Sequence, residues 1–290
     1  MEIIQVLSYG ILLGGLYSLL SSGLALIFGV LDIVNVAQGA FLVSGAFLTW
    51  QIWDLTGIEP ILLIPVVALL WFGLGIIIYR TLFVRVAPQG PSMTVLLSFG
   101  LALIIEGALN LIFGNKFKSV QTSYSLQSYK LGEINFPAPQ VIASLAAAVV
   151  LVLLYLYLKL SWAGRALRAT AQNRDGAALI GISHRKISSF AYGLGMATAG
   201  AGGVLISVSY PIYPATHYEW ISKLLGIIVL GGMGSIPGAI IGSMLLGIVE
   251  AAGNTYAPQW TILFFYGVII LSLLFKPEGL LGARSRKDSV

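Results

Sequence analysis

Apolar residues fill this chain in long blocks parted by short polar breaks. Blocks at about 3–30, 38–53, 61–79, 93–113, 139–158, 189–209, 224–250 and 259–275 approach or exceed the ~20 residues an α-helix needs to cross a bilayer. They run continuously instead of alternating, which predicts helices and argues against a β-barrel. The 38–53 block is short for a span, and 224–250 is too long and too glycine-rich for one simple helix. The expectation is an all-α polytopic membrane protein with about 8–10 spans, including broken or re-entrant helices, as a single transmembrane domain over 1–290. The apolar run after Met1 and Glu2 has no basic segment before it and is too long for a signal peptide, so it reads as the first span.

Two places interrupt the apolar pattern from within. Between Gly29 and Gly39, the polar residues Asp32, Asn35 and Gln38 stand in an oily stretch. Between Gly231 and Gly238, four glycines and Pro237 cluster, and proline removes a backbone donor. Discontinuous helices in both halves of a membrane chain point to a transport pathway. Asn35 and Gln38, three apart, share a face if helical, and their amides offer donors and acceptors without burying a charge. Asn35, Gln38, Gly39, Gly232, Gly234 and Pro237 are therefore the expected pathway residues. The competing reading is that the two amides bond between helices and hold the bundle together. Gly195, Ala199 and Gly203, and again Gly234, Gly238 and Gly242, recur every four residues, the spacing that lets helix backbones approach closely in lipid.

One island is strongly charged. Residues 162–186 hold Arg165, Arg168, Arg174, Arg185 and Lys186, with Lys159 just before. Small or apolar residues at Ala166, Ala169, Thr170, Asn173, Ala177, Ala178 and Leu179 suit a short amphipathic helix. Such a helix gives a soluble partner somewhere to dock; the alternative is an ordinary positive-inside loop.

Composition agrees with a membrane protein. Charged residues are 9% of the chain and hydrophobic ones 58%, against ~25% charged in soluble domains. Of the 16 basic residues, only Lys116, Lys118, Lys130 and Lys223 lie outside 80–92, 159–186 and 276–290. Those three segments are expected in the cytoplasm, with the C-terminus. The loops around Asp54 and Glu59, 114–138 and 210–222, with the N-terminus, then face outward. The net charge of +5 reflects this orientation and gives no case for nucleic acid.

Several chemistries find no residues to carry them. The chain has no cysteine, so disulfides and thiolate sites are excluded. It has no phosphate-binding loop, so ATP is not expected to bind here, and no HExxH metal motif. His184 reads as solvated or partner-facing, and His217, beside Tyr218, Glu219 and Trp220, as a surface-packing residue; no metal site is expected. No nucleophile and base assemble into an enzyme. Asp32, Glu106 and Glu250 are the carboxylates nearest the membrane interior, the kind a proton-coupled secondary transporter would use. Glu106 has no obvious basic partner, and Asp32 and Glu250 can sit at interfaces.

Five elements, in order, resemble one family. Gly14-Gly15-Leu16-Tyr17-Ser18-Leu19 is similar to its first-span pattern, and Val34-Asn35-Val36-Ala37-Gln38-Gly39 to its I-N-F-A-H-G element. Gly164-Arg165-Ala166-x-Arg168-Ala169, with Ala178-Leu179-x-Gly181-Ile182, resembles its cytoplasmic coupling segment. Val229 to Ala239 is similar to its late glycine-rich element, and Pro277-x-Gly279-Leu280-Leu281-Gly282 to its C-terminal one. The family is that of membrane permease subunits of ATP-binding cassette importers for branched-chain amino acids and related solutes such as urea and amides.

The resemblance implies a channel of two permease chains, this one and a paralogue or second copy, in a bacterial or archaeal cytoplasmic membrane. It implies two ATPase subunits, which carry ATP and magnesium, docked on 162–186 through Gly164, Arg165, Arg168, Asn173, Leu179 and Gly181. It also implies a soluble binding protein that delivers solute from outside. No cofactor is expected in this chain, and membrane lipid is its surrounding partner. Gln38 and Val36 stand where the family pattern has histidine and phenylalanine, which leaves the fold expectation intact and the solute open. The alternative is a stand-alone secondary transporter using intramembrane carboxylates.

Overall fold

A computed structural model describes residues 2–131 and 134–282. The apolar blocks become helices α1 (Glu2–Leu31), α2 (Gln38–Thr56) and α3 (Ile64–Ile78). A π turn then leads to the single-turn α4 (Val84–Val86), followed by α5 (Pro91–Phe113) and a hairpin of β1 (Ser128–Leu131) and β2 (Ile134–Pro137). After it come α6 (Ala138–Leu160), α7 (Trp162–Gln172), α8 (Arg174–Leu179) and α9 (His184–Ser209). The last three are α10 (His217–Gly231), α11 (Ile236–Tyr256) and α12 (Thr261–Phe275).

Seven of the described helices are long and apolar enough to cross a membrane, and α2 and α10 lie beside them in the core. The two interruptions fall where the polar and glycine residues sit: 32–37 separates α1 from α2, and 232–235 separates α10 from α11. The long 224–250 block is thus two helices. The short antiparallel hairpin in 128–137 had no signal in the apolar pattern.

Burial runs from the middle outward. α1 and α9 bury most of their length, whereas α5, α6 and α12 leave most of their apolar side chains exposed, as a bundle surrounded by lipid requires. Lipid gives no hydrophobic drive for helices to associate, so close backbone packing has to hold the centre. A methyl group on Gly14 of α1 would lie 2.7 Å from the Met244 Cα of α11, and one on Gly23 would meet the Gly195 carbonyl of α9 at 2.7 Å. α1 and α11 run antiparallel, with Gly10 beside Ile248 at one end and Gly29 beside Gly234 at the other.

The connecting segments sort to two ends. At one, Lys118 and Ile212 exchange backbone hydrogen bonds, Lys118 Nζ sits 4.1 Å from the Trp50 ring centre, and the Tyr124 hydroxyl donates to Glu59. Burial and the Glu59 carboxylate together push the Tyr124 hydroxyl pKa up. At the other end, Arg174 pairs with Asp32, and the Leu280 and Leu281 amides donate to the Leu230 and Gly231 carbonyls. The basic segment 159–186 and the first residues of 276–290 therefore share an end. Arg284, Arg286 and Lys287 lie outside the described residues, as does Met1.

The single amphipathic helix expected within 162–186 is two helices. Asn173 is extended (φ −154°, ψ 108°) and its Oδ1 accepts from the Gly176 amide at 2.9 Å, ending α7 and capping α8.

Candidate coupling segment and helix breaks

α7 is set by its first turn. Ser161 Oγ accepts from the Gly164 amide at 2.9 Å, and Ala166, Leu167 and Thr170 are buried against the bundle. Gly164 is required by sterics: a methyl group there would fall 1.9 Å from the Leu158 carbonyl oxygen. Arg165 and Arg168 turn back along α6. Arg165 Nη1 donates to Leu160 O at 3.0 Å, and Arg168 donates to Leu158 O. Both carbonyls belong to the last turn of α6, where no intrahelical donor remains.

The segment presents its apolar tip outward instead. Gly181, at φ 83°, lets the chain reverse so that its amide and that of Ile182 close on Ala178 O and Ala177 O. The turn leaves Leu179 and Ile180 89% and 72% exposed, at the end of a capped helix. Leu179, one of the expected coupling residues, is joined at this tip by Ile180, which the sequence marks only as a second large apolar residue inside a polar island.

At the first break, Asn35 Nδ2 donates to Gln38 Oε1 at 3.2 Å, and Gln38 Nε2 donates to the Gly195 carbonyl of α9 at 2.9 Å. The Val36 amide donates to Ser98 Oγ of α5 at 3.1 Å. Asn35 and Gln38 have no exposed surface in this chain. Gly39 packs against the His217 carbonyl and Ile221 of α10.

At the second break, Gly232 and Gly234 hold φ 104° and 84°. Gly232 packs on Gly279 and Gly282, and Gly234 on Gly29. Ser235 Oγ accepts from the Gly238 amide at 3.1 Å, and Pro237 takes the first turn of α11, where its missing N–H is harmless. A cavity of about 700 Å³ lies here, lined by Gly29 and Val30, Tyr155, Leu167, Gly234 and Pro237 among others. The structure thus brings Gly234 and Pro237 to the α1 end of the first break and to α7. It does not bring them to Asn35 and Gln38, which pack toward α9.

Each of the three carboxylates has partners. Glu106 Oε2 receives His217 Nε2 at 3.1 Å and Tyr218 Oη at 2.9 Å. His217, expected at the surface, is buried, because α2 and α5 close over the start of α10. Glu250 Oε1 meets Lys223 Nζ at 2.9 Å, and its Oε2 receives Tyr17 Oη at 2.8 Å. Asp32 Oδ2 meets Arg174 Nη2 at 2.8 Å. Among the described residues, no group of three or more His, Asp or Glu side chains is placed to hold a metal.

A lipid-facing bundle whose core helices break at two glycine- and amide-bearing points is a membrane transport architecture. The chain belongs to the family described as the permease component of the branched-chain amino acid transport system, whose model matches residues 6–273. It is 28% identical to the high-affinity branched-chain amino acid transport system permease protein BraD of Pseudomonas aeruginosa, over 96% of this chain and 95% of that protein. It is 29% identical to the probable branched-chain amino acid transport permease protein LivH of Methanocaldococcus jannaschii, over 98% and 94% respectively. A shorter match, 28% identical over half of this chain and 35% of the other, is to the permease protein LivM of Escherichia coli. No solved structure matches. The relatives are named permease proteins of branched-chain amino acid transport, and the chain is a multi-pass membrane protein.

Proposed function

We propose that this chain is the permease subunit of an ATP-binding cassette importer in a bacterial or archaeal cytoplasmic membrane. It moves a small polar solute, a branched-chain or related amino acid, urea or an amide, into the cytoplasm. The observation that carries the reading is the α7–α8 segment. It is capped at both helix starts, packed by Ala166, Leu167 and Ala177, and ends in the exposed Leu179 and Ile180. A rigid lever with an apolar tip is what a soluble ATPase can grip and move. ATP hydrolysis stays on that partner, with its magnesium, and a rocking of the bundle between two states converts it into solute movement.

The full assembly has two permease chains, two ATPase subunits and an extracytoplasmic binding protein. A second permease is supported by relatives of both LivH and LivM type. The 159–186 and 276–290 segments face the cytoplasm under the positive-inside rule. Gly164, Asn173 and Gly181 shape the lever, Leu179 contacts the ATPase, and Arg165 and Arg168 fasten the lever to α6. Gly234 and Pro237 border the cavity that opens beside it, while Asn35, Gln38, Gly39 and Gly232 set the breaks that the motion works on.

The test is co-expression with the neighbouring ATPase genes. Leu179→Asp with Ile180→Asp is expected to abolish co-purification of the ATPase and solute uptake while the permease stays inserted and monodisperse. Wild-type co-purification and uptake by that variant would remove the docking assignment. Uptake that persists without any ATPase and follows a proton gradient would favour a secondary transporter.

A further inference from the structure

The charged segment touches the first helix break through one ion pair. Arg174 is the first residue of α8, fixed in place by the Asn173 cap. Its Nη2 lies 2.8 Å from Asp32 Oδ2 and 3.3 Å from the Val30 carbonyl in the last turn of α1. Asp32 is the residue where α1 stops. It holds φ 54°, the one non-glycine residue among those described with a left-handed backbone. Aspartate is among the few L residues that visit that region, and it does so as an isolated residue.

We infer that the Arg174–Asp32 pair is the positioning link through which movement of the α7–α8 segment reaches the break between α1 and α2. This rests on the proposed docking of an ATPase on that segment. Both side chains are largely exposed, at 43% and 70%, and exposed ion pairs contribute little to stability. The pair is therefore poorly suited to holding the bundle together and well suited to setting where Asp32 sits. The buried contacts of α7 and α8, through Ala166, Leu167, Thr170 and Ala177, are made by small or apolar side chains on the bundle side and do not reach Asp32 through a polar bond. A charge-assisted hydrogen bond has a direction and cannot slide without breaking.

What lies beyond Asp32 makes its position matter. The next residues are pinned to two other helices: Val36 to Ser98 of α5, and the Asn35–Gln38 pair to Gly195 of α9. The break is thus held at its far end by α5 and α9, and at its near end Arg174 adds a polar bond to Asp32 between the buried Leu31 and Ile33. Displacing α8 moves the near end alone, which changes the turn between α1 and α2.

The absence of cysteine allows the permease itself to be probed without its ATPase. In membrane vesicles, a Val34→Cys reporter in the break is expected to react several-fold faster with a small thiol reagent when Arg174→Ala or Asp32→Gly is added. Asp32→Gly removes the carboxylate but loosens the backbone as well, so Asp32→Asn, which also adopts the left-handed turn, is measured beside it to remove the charge alone. Arg174→Lys, which keeps a cation able to reach Asp32 and leaves the left-handed turn untouched, should hold reactivity near the reference. Unchanged reactivity in Arg174→Ala and Asp32→Asn overturns the link whether or not an ATPase docks here.

In the complete transporter, the same single variants should keep ATPase co-purification at reference yield. Solute moved per ATP hydrolysed should fall about five- to tenfold, the scale of a typical coupling between sites, and Arg174→Lys should retain most of it. Loss of ATPase co-purification in Arg174→Ala would make Arg174 a docking contact and overturn the inference. If the reference permease binds no ATPase while the vesicle labelling responds as expected, the docking proposal fails and the link survives as a feature of the break.

Discussion

Lys223 Nζ lies 2.9 Å from Glu250 Oε1, joining α10 to α11, and both side chains are nearly buried, at 16% and 12% exposure. The same ammonium meets Glu219 at 3.0 Å, and Glu250 receives the Tyr17 hydroxyl from α1. Three helices thus converge on one carboxylate. Removing Lys223 leaves the Glu250 charge uncompensated, at a cost of roughly 3–5 kcal/mol, whereas removing Glu250 leaves Lys223 its pair with Glu219. Lys223→Met is expected to lower thermal stability in detergent sharply, and Glu250→Gln to lower it less. Lys223→Met combined with Glu250→Leu should be less harmful than the sum of the two single changes. A neutral effect of both single variants would show that the pair holds nothing.

The two ends of the bundle give a labelling prediction. In the cysteine-free background, Ser123→Cys should react with an impermeant thiol reagent in intact cells, and Ser183→Cys only after permeabilisation. Ser123 lies at the end bearing Glu59 and Ile212, and Ser183 at the end bearing the basic island. External labelling of Ser183→Cys would reverse the orientation and remove the ATPase from that face.

Arg165 and Arg168 are engaged within the chain, which redirects their test. Replacing both with alanine frees the Leu158 and Leu160 carbonyls and removes two hydrogen bonds to charged groups, each worth about 1.5–3 kcal/mol before solvent exposure reduces it. Faster amide hydrogen exchange is expected over the junction of α6 and α7, with coupling impaired through a loosened lever. Normal exchange there with lost ATPase binding would instead show that the guanidiniums contact the partner directly.

Gln38 separates two roles. Gln38→Leu takes the acceptor from Asn35 Nδ2 and a donor from Gly195, so stability should fall by about 1–3 kcal/mol. Gln38→His restores a side chain able to donate and accept, and should recover most of that loss. A change in solute preference with unchanged stability would place Gln38 in the pathway of the open transporter instead. Thermal shift and competitive uptake, measured on the same two variants, distinguish these outcomes.

The features legible in the sequence were those that break a pattern. Polar Asp32, Asn35 and Gln38 in an oily run, and the glycines around Pro237, mark where the helices stop because such residues stand out against apolar neighbours. The charged island was equally visible, yet its division at Asn173 was not. The 3.6-residue spacing of small residues continues through that position, and only the cap shows the break. Partners of the carboxylates could not be read at all. His217 reaches Glu106 across 111 residues, and Lys223 reaches Glu250 across 27, through helix registers that local sequence does not set. Exposure of Leu179 and Ile180 depends on the reversal at Gly181, whose left-handed conformation a sequence motif only hints at.

The amides of Leu280 and Leu281 close the carbonyls of Leu230 and Gly231, so the second break is sealed by residues some fifty positions further along the chain. During synthesis, α10 and α11 enter the bilayer before that seal exists. Until the tail arrives, two backbone oxygens at the end of α10 lack these partners. The order of biogenesis is thereby written into the fold: the break matures last, and only when the chain past α12 has folded back beneath it.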